Sequence, residues 1–397
     1  MQPSILEGIR VVDLGRYLAA PYCSQLLADM GAEVIRVERP GGEVDRQRGP
    51  YTKEGHSLLF VTLNRNKKAV TLNLRSDEGY ALLTQLVGKS DVLLHNLPAA
   101  SAASLRVRYD DFAAQNPRLV YLSISGFGGK GPYADYPALD AVIQGMSGAM
   151  TICGTESSGP TLSHVPYVDF GTALYGALSI VSALYHRNTT GKGQSIDLAL
   201  YSTALSYIGG YAIMADFVRN GAVRRHMGND LIYGVGGCFP TKDGFAEINC
   251  LTGDMWERMC GLMQRPALLQ DARFATGPGR YQHRHVINPI VQQWTMSMTT
   301  AQVVQALLDI GIPSGPVQTV DQLPSDPQVQ ALEMFPTVDQ PGAGPIPVAG
   351  AAMKFSDTPL RITRPAPAVG EHNDEIYSHV LGLTPPDIAR LRRDRVI

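Results

Sequence analysis

Residues 9–38 read IRVVDLGRYLAAPYCSQLLADMGAEVIRVE, and this stretch decides the fold. Ile9 to Leu14 is a short β-branched run, the signature of a strand. Pro21 to Met30 carries apolar residues at helical spacing, with a proline in its first turn. Gly31 stops that helix, Glu33 to Glu38 is a second strand, and Pro40-Gly41-Gly42 ends it. The stretch is therefore a β-α-β unit.

Working outward, the alternation continues. Ala69 to Leu74 reads as a strand, and Asp77 to Val87 as a helix closed by Gly88. Asp91 to His95 and Leu119 to Ile124 read as further strands. Such alternation implies an α/β fold with a mainly parallel sheet, which binds ligands at the carboxyl ends of its strands. Val168 to His186 is a strongly apolar helix, followed by a turn at Thr190-Gly191-Lys192-Gly193. Gln194 to Leu200 is a strand or a helix start, and Leu200 to Phe217 is helical. Asn220 to Gly237, rich in Gly, Arg and Asn, reads as a linker with loops. Cys238 to Asn249 suggests a hairpin around Lys242-Asp243-Gly244. Helices follow near Asp254–Met263 and Thr300–Leu308, Gln340 to Ile346 is a Pro/Gly loop, and Pro386 to Arg395 is a charged helix.

The 397 residues contain 34 Lys and Arg against 36 Asp and Glu, a net charge of −2. That balance argues against a global electrostatic grip on nucleic acid or an anionic membrane. Five scattered cysteines without a CxxC argue against a disulfide framework or a zinc site. The first residues show no charged segment leading into an apolar run, so a cytoplasmic protein is expected. Phe170 to Tyr185 is short for a membrane span, and Leu198 to Ala215 is interrupted by polar residues and a Gly pair. Both read as buried helices, and no membrane partner is expected.

Several stretches invite a chemical reading. Gly126-Phe127-Gly128-Gly129-Lys130-Gly131 matches G-x-G-x-x-G after a strand, yet Pro132 and Pro137 break any helix that would open behind it. Glu38 has the position of a ribose-binding acid, but the turn from Gly15 to Pro21 holds one glycine, too few for close approach to a pyrophosphate. Arg39, Arg46, Arg48, Lys67, Lys68 and Arg75 cluster after the second strand and nearby, several of them at strand ends, either as donors to a phosphorylated cofactor or as solvated charges. Asp169 stands at the head of the apolar helix, where it is either a plain helix cap or a nucleophile. No metal motif, HExxH or GxSxG is present, and no metal is expected.

Taken in order, the segments around Leu6–Asp13, Leu27–Glu38, Asn64–Lys68, Asn116–Gly128, Gly131–Tyr133, Asp169, Thr190–Gln194, Gly311–Val317 and Gly370–His372 carry a family pattern. The chain resembles the class III CoA-transferases, the group of formyl-CoA and carnitine CoA-transferases and their racemase relatives. The resemblance implies a large Rossmann-like domain from 1–200 and 325–397, and a small α+β domain from 230–310. Residues 201–229 and 311–324 would be linkers, and two subunits would interlock as a homodimer. It implies transfer of CoA from an acyl-CoA to a small carboxylic acid, with Asp169 as covalent nucleophile and coenzyme A as co-substrate. Arg39, Leu72, Asn73, Arg75 and Asn96 would contact CoA. Asp140 would be an acid near the active site, and Gly234 to Gly237, with Gly236 and Gly237, would correspond to a glycine loop of the small domain.

The chain also departs from that pattern. Leu18, beside Tyr17 and Arg16, replaces an amide side chain that helps hold the oxyanion in formyl-CoA transferases. Ser104 replaces a phosphate-binding arginine, for which Arg106 or Arg108 would substitute. Arg16 is a candidate partner for the second carboxylate of a dicarboxylic acid. Two alternatives remain open. A racemase or epimerase needs a second base, and Leu139 stands where that histidine would be, leaving His95 and His164. A non-catalytic CoA-binding protein would have no use for the nucleophile.

Overall fold

The computed structural model describes residues 4–231 and 234–397. The chain runs β1 (Arg10–Asp13), α1 (Ala19–Asp29), β2 (Glu33–Glu38), α2 (Leu58–Asn64), β3 (Lys68–Thr71), α3 (Asp77–Gly88), β4 (Val92–His95), α4 (Ala99–Ser104) and β5 (Val120–Ser125). Then come α5 (Asp140–Met146), α6 (Ala149–Cys153), α7 (Tyr167–Thr190), β6 (Gln194–Ala199), α8 (Leu200–Gly210) and α9 (Ile213–Asn220). The six strands form one sheet in the order β3-β2-β1-β4-β5-β6, and every pairing is parallel. The chain reverses direction across the sheet between β1 and β4, and such a switch point opens a crevice at the carboxyl ends of the strands.

The strands are near-continuous apolar runs because both faces of the sheet are covered. On one face α1 and α7 pack Leu27, Ala173, Ala177 and Ile180 over Val11, Leu94 and Leu122. Small residues on α7 permit the approach: a Cβ added at Gly176 would sit 3.1 Å from Cys23 Sγ. The opposite face is covered by Leu82, Leu83 and Leu86 of α3 and by apolar residues from the C-terminal part of the chain.

The chain divides into two compact units. The first runs to Ser147 and resumes over Ser163–Ala215 and Gln328–Ile397; the second comprises Gly148–Leu162 and Asp216–Pro327. In the second unit β7 (Val235–Pro240), β8 (Phe245–Cys250), α10 (Gly253–Leu262), α11 (Gly277–Gln282), α12 (Arg284–Thr295), α13 (Thr300–Asp309) and β9 (Ser314–Pro316) follow in order. Its antiparallel sheet β7-β8-β9 shares a core with Trp256, Met259, Ile287, Val291 and Leu307. After α14 (Pro327–Ala331), which begins on the last residue of the second unit, the first unit closes with β10 (Thr337–Gln340), β11 (Gly344–Pro347), α15 (Asn373–His379) and α16 (Pro385–Arg393).

The structure corrects several expectations. The stretch 340–346 is not an open loop but the turn and second strand of the β10–β11 hairpin, whose Val338 and Ile346 pack on Phe60 and Val61. The helix expected over 200–217 breaks at Ala212, which adopts φ 60°. The stretches expected as linkers contain α8, α9 and β9, and β9 pairs with β8. The apolar helix is longer than expected, 24 residues from Tyr167 to Thr190. By length and composition it could cross a membrane, and half of its most apolar window is buried inside the protein.

Candidate active site at the carboxyl edge of the sheet

Asp169 is the third residue of α7, not its cap; the cap position is Pro166, which offers no side-chain acceptor. The open amides at the helix head are taken by another acid. Asp140 Oδ2 accepts from Val168 N at 2.9 Å and from Asp169 N at 3.0 Å. Asp140 itself is buried at the start of α5, and Gln144 Nε2 donates to its other oxygen. Gln144 also ties down the segment before α7, donating to Ser163 O and accepting from Ser163 N at 3.0 Å. Asp140 therefore supplies the anion that the helix head favours. The Asp169 carboxylate is left without a hydrogen-bond donor among the described residues. Burial, and secondly the charge of Asp140, push its pKa up to about 7.

The turn after β1 is held from three strands. Gly15 N donates to Asp13 Oδ1 at 2.7 Å, and Gly15 O accepts from Arg36 Nη1 at 3.1 Å. Arg16 N donates to Asn96 Oδ1 at 2.8 Å, and Asn96 Nδ2 donates back to Arg16 O at 2.7 Å. This reciprocal pair lies across the β1/β4 switch point, and it engages the carboxamide of Asn96 with backbone. Tyr17 is forced to φ 63°, and Leu18 opens α1 without a side-chain cap. The Arg16 guanidinium meets Glu43 through Nε at 3.0 Å and Nη2 at 3.1 Å, and Nη1 has no partner among the described residues. Tyr22, one turn into α1, packs edge-on against Phe170 with ring centroids 5.0 Å apart, which brings the heads of α1 and α7 together.

Beneath the turn lies a buried set of charges. Lys67 Nζ donates to Asp13 at 3.1 Å, to Pro21 O and to Asn64 Oδ1. Arg36 makes a paired contact with Asp45 at 2.8 and 2.9 Å and meets Glu38 at 3.3 Å. Burial opposes the charge on Asp13, but Lys67 and Arg36 beside it hold its carboxyl below the usual range. Glu38 is also held by Arg46 at 2.7 Å, so both its oxygens are engaged and it is not placed as a ribose ligand. Of the basic cluster, Arg46, Lys67 and Lys68 are committed to internal ion pairs. Arg39 and Arg75 are exposed just after β2 and β3, Arg48 is exposed after the short turn at 44–47 and lies over the Tyr17 ring at 5.8 Å, and among the described residues none of the three is in an ion pair.

Leu72 is buried, with its amide on Glu38 O at 2.7 Å, and Asn73 begins the turn into α3. Arg106 adopts φ 57°, stacks over Tyr80 at 3.9 Å and meets Asp77 at 3.1 Å. Gly236 and Gly237 belong to the second unit and form part of strand β7, not a loop. A Cβ at Gly236 would crowd Ile248 O, and one at Gly237 would crowd Asn229 O, so close backbone packing accounts for both glycines. In the stretch 126–131, Gly128 N and Gly129 N donate to Ser125 Oγ and Asp197 Oδ2, and no helix opens before Asp140.

His95 is unsuited to act as a base. It is 1% exposed, contacts Tyr121 Oη through Nε2 at 2.6 Å, and accepts from Leu97 N through Nδ1. Burial lowers its pKa to about 4. Among the described residues no cluster of three His, Cys, Asp or Glu suits a metal.

The amino-acid sequence matches a known family over nearly the whole chain. The profile of CoA-transferase family III covers residues 6–373. The chain belongs to CoA-transferase family III. A family III relative, the succinyl-CoA–D-citramalate CoA-transferase of Chloroflexus aurantiacus, is 34% identical over all of this chain and 98% of its own length. The succinate–glutarate CoA-transferase of Agrobacterium fabrum is 33% identical, covering 94% of this chain and 95% of its own. The crystal structure of a CAIB/BAIF family protein from Brucella suis superimposes with a TM-score of 0.83 at 32% identity, covering 96% of this chain and all of that one. The protein is a class III CoA-transferase.

Proposed function

We propose that this CoA-transferase works through a covalent intermediate at Asp169 and exchanges CoA between dicarboxylic acids. The observation that carries the reading is the state of Asp169: its carboxylate has no donor among the described residues, while Asp140 takes the helix amides in its place. A poorly solvated carboxylate with a pKa near 7 is more basic, and hence a better oxygen nucleophile, than an ordinary aspartate.

In the first step Asp169 Oδ attacks the thioester carbonyl; a C–O bond forms, the C–S bond breaks, and CoA leaves as thiolate. The thiolate then attacks the Asp169 carbonyl of the mixed anhydride, expelling the donor acid and leaving an aspartyl-CoA thioester. An acceptor carboxylate reverses both steps, attacking that thioester and then receiving the thiolate. No net proton is consumed, and the free energy of the thioester is retained throughout. Water must be kept from both activated intermediates.

Arg75, and Arg39 through the guanidinium nitrogens other than the Nε that donates to Gly42 O at 2.9 Å, would face the phosphates of CoA, with Leu72 and Asn73 at its adenine and Arg106 nearby. Arg16 offers Nη1 to the distal carboxylate of the acid, with Glu43 fixing the orientation of the guanidinium. The relatives from Chloroflexus and Agrobacterium are named for succinyl-CoA, citramalate, succinate and glutarate, which supports a dicarboxylate class.

The working unit is proposed as a cytoplasmic homodimer. Leu174, Leu178 and Tyr185 line one outer face of α7, with exposures of 53%, 62% and 79%, and Tyr207 of α8, stacked on Tyr175, adds to the patch. A second copy is the proposed cover for this apolar surface. The function is tested by exchange assays of acyl-CoA donors against a panel of acids. Dicarboxylates as the preferred acceptors, with activity lost in Asp169→Ala, are expected; undiminished exchange in that variant would refute the covalent role.

A further inference from the structure

β3 is an edge strand, and an open edge presents unpaired backbone groups. The inner amide of Leu72 faces β2, so the outward groups are those of Ala69, Thr71 and Asn73. None of the three is left open. Ala69 O accepts from His372 N at 2.9 Å, and Ala69 N donates to His372 Nδ1 at 3.2 Å. Thr71 N donates to Asn373 Oδ1 at 2.9 Å, and Thr71 O accepts from Tyr377 Oη at 2.6 Å. Asn373 Nδ2 donates to Thr71 Oγ1 at 2.8 Å, and Asn73 N donates to Val396 O at 2.7 Å. The start of α15 thus stands in for a seventh strand, mostly through side chains. Gly370 adopts φ +63°, and a Cβ there would lie 3.0 Å from Asn373 Nδ2 and 3.2 Å from Thr71 Oγ1.

Edge protection alone does not require a buried tyrosine hydroxyl on the last carbonyl of the strand. Asn373 and Tyr377 both close on Thr71, the residue directly before the turn Leu72–Arg75. We propose that Asn373 and Tyr377 are positioning residues for that turn, setting the affinity for the nucleotide end of CoA without touching the substrate. The proposal rests on the placement of CoA at Leu72–Arg75 made above.

The test compares kcat/KM for an acyl-CoA and for the matching acyl-pantetheine, which lacks the nucleotide, in wild type, Tyr377→Phe, Asn373→Ala and Arg75→Ala. Tyr377→Phe keeps the ring in the core but leaves Thr71 O without its donor. It should raise KM for acyl-CoA by about five- to twentyfold, the scale of a lost buried hydrogen bond. kcat, KM for the acceptor acid and kcat/KM for acyl-pantetheine should be unchanged, and Asn373→Ala should show the same selective loss. An equal loss for both donors, or no loss for either, would overturn the positioning role. Should Arg75→Ala discriminate between the donors as wild type does, the placement of CoA at this turn fails instead, and the proposal falls with it.

Discussion

Replacing Asp169 by Asn removes a charge that the fold leaves uncompensated, so the variant should be inactive yet more stable above neutral pH. The rise from the ordinary value of 3.8 to about 7 corresponds, at about 1.36 kcal/mol per pK unit, to a ceiling of about 4 kcal/mol. Asp169 is partly exposed, and solvent screening reduces this to about 1–3 kcal/mol. The direction follows from the raised folded pKa. Between about pH 4 and pH 7 the folded protein retains a proton that the unfolded chain has lost, so wild-type stability declines as pH rises through this window. Above it the folded state carries the whole cost of the buried charge. Urea unfolding of both proteins at pH 5 and pH 8 reads this directly. The advantage of Asp169→Asn should be larger at pH 8. A gap that is equal at the two pH values, or larger at pH 5, would refute the view that Asp169 is an unpaired, desolvated carboxylate.

Three further outcomes are expected. Asp140→Asn keeps an acceptor for the α7 amides but removes the negative charge, so the acid limb of the kcat/KM profile should move to lower pH. An unmoved limb would separate Asp140 from the electrostatics of Asp169. Arg16→Ala should raise KM for dicarboxylate acceptors about tenfold, the scale of one charge-assisted contact, and leave monocarboxylates unaffected in steady-state assays. If the proposed homodimer forms through the outer face of α7, wild type should run at twice the chain mass and Leu178→Glu at one chain mass in size-exclusion chromatography with light scattering; an unchanged mass would contradict that face as the contact.

Much of the first unit was legible because strands buried on both faces, such as Val11-Val12 and Val92-Leu93-Leu94, stay apolar without alternation. The helix that carries Asp169 was legible for its apolar length. What sits at its head was not, since the acid that caps it lies 28 residues upstream and leaves no local spacing signal. Charge at strand ends was equally visible, but only packing separates the internally paired Lys67 and Arg46 from the exposed Arg39 and Arg75. The β10–β11 hairpin was hidden because Pro345 and Pro347 occupy an exposed edge, where a missing amide donor costs little. The Gly370-Glu371-His372 motif, visible only as part of a family pattern, gains a physical reason: it brings α15 onto the edge of β3.

The covalent role of Asp169 is tested most directly by trapping. The protein is incubated with an acyl-CoA and then treated with borohydride or hydroxylamine, and its peptides are weighed. The expected result is a single modified site, with Asp169 reduced to the alcohol or converted to the hydroxamate, dependent on the acyl-CoA. An unmodified Asp169 peptide, recovered while CoA exchange proceeds at full rate, would contradict the account.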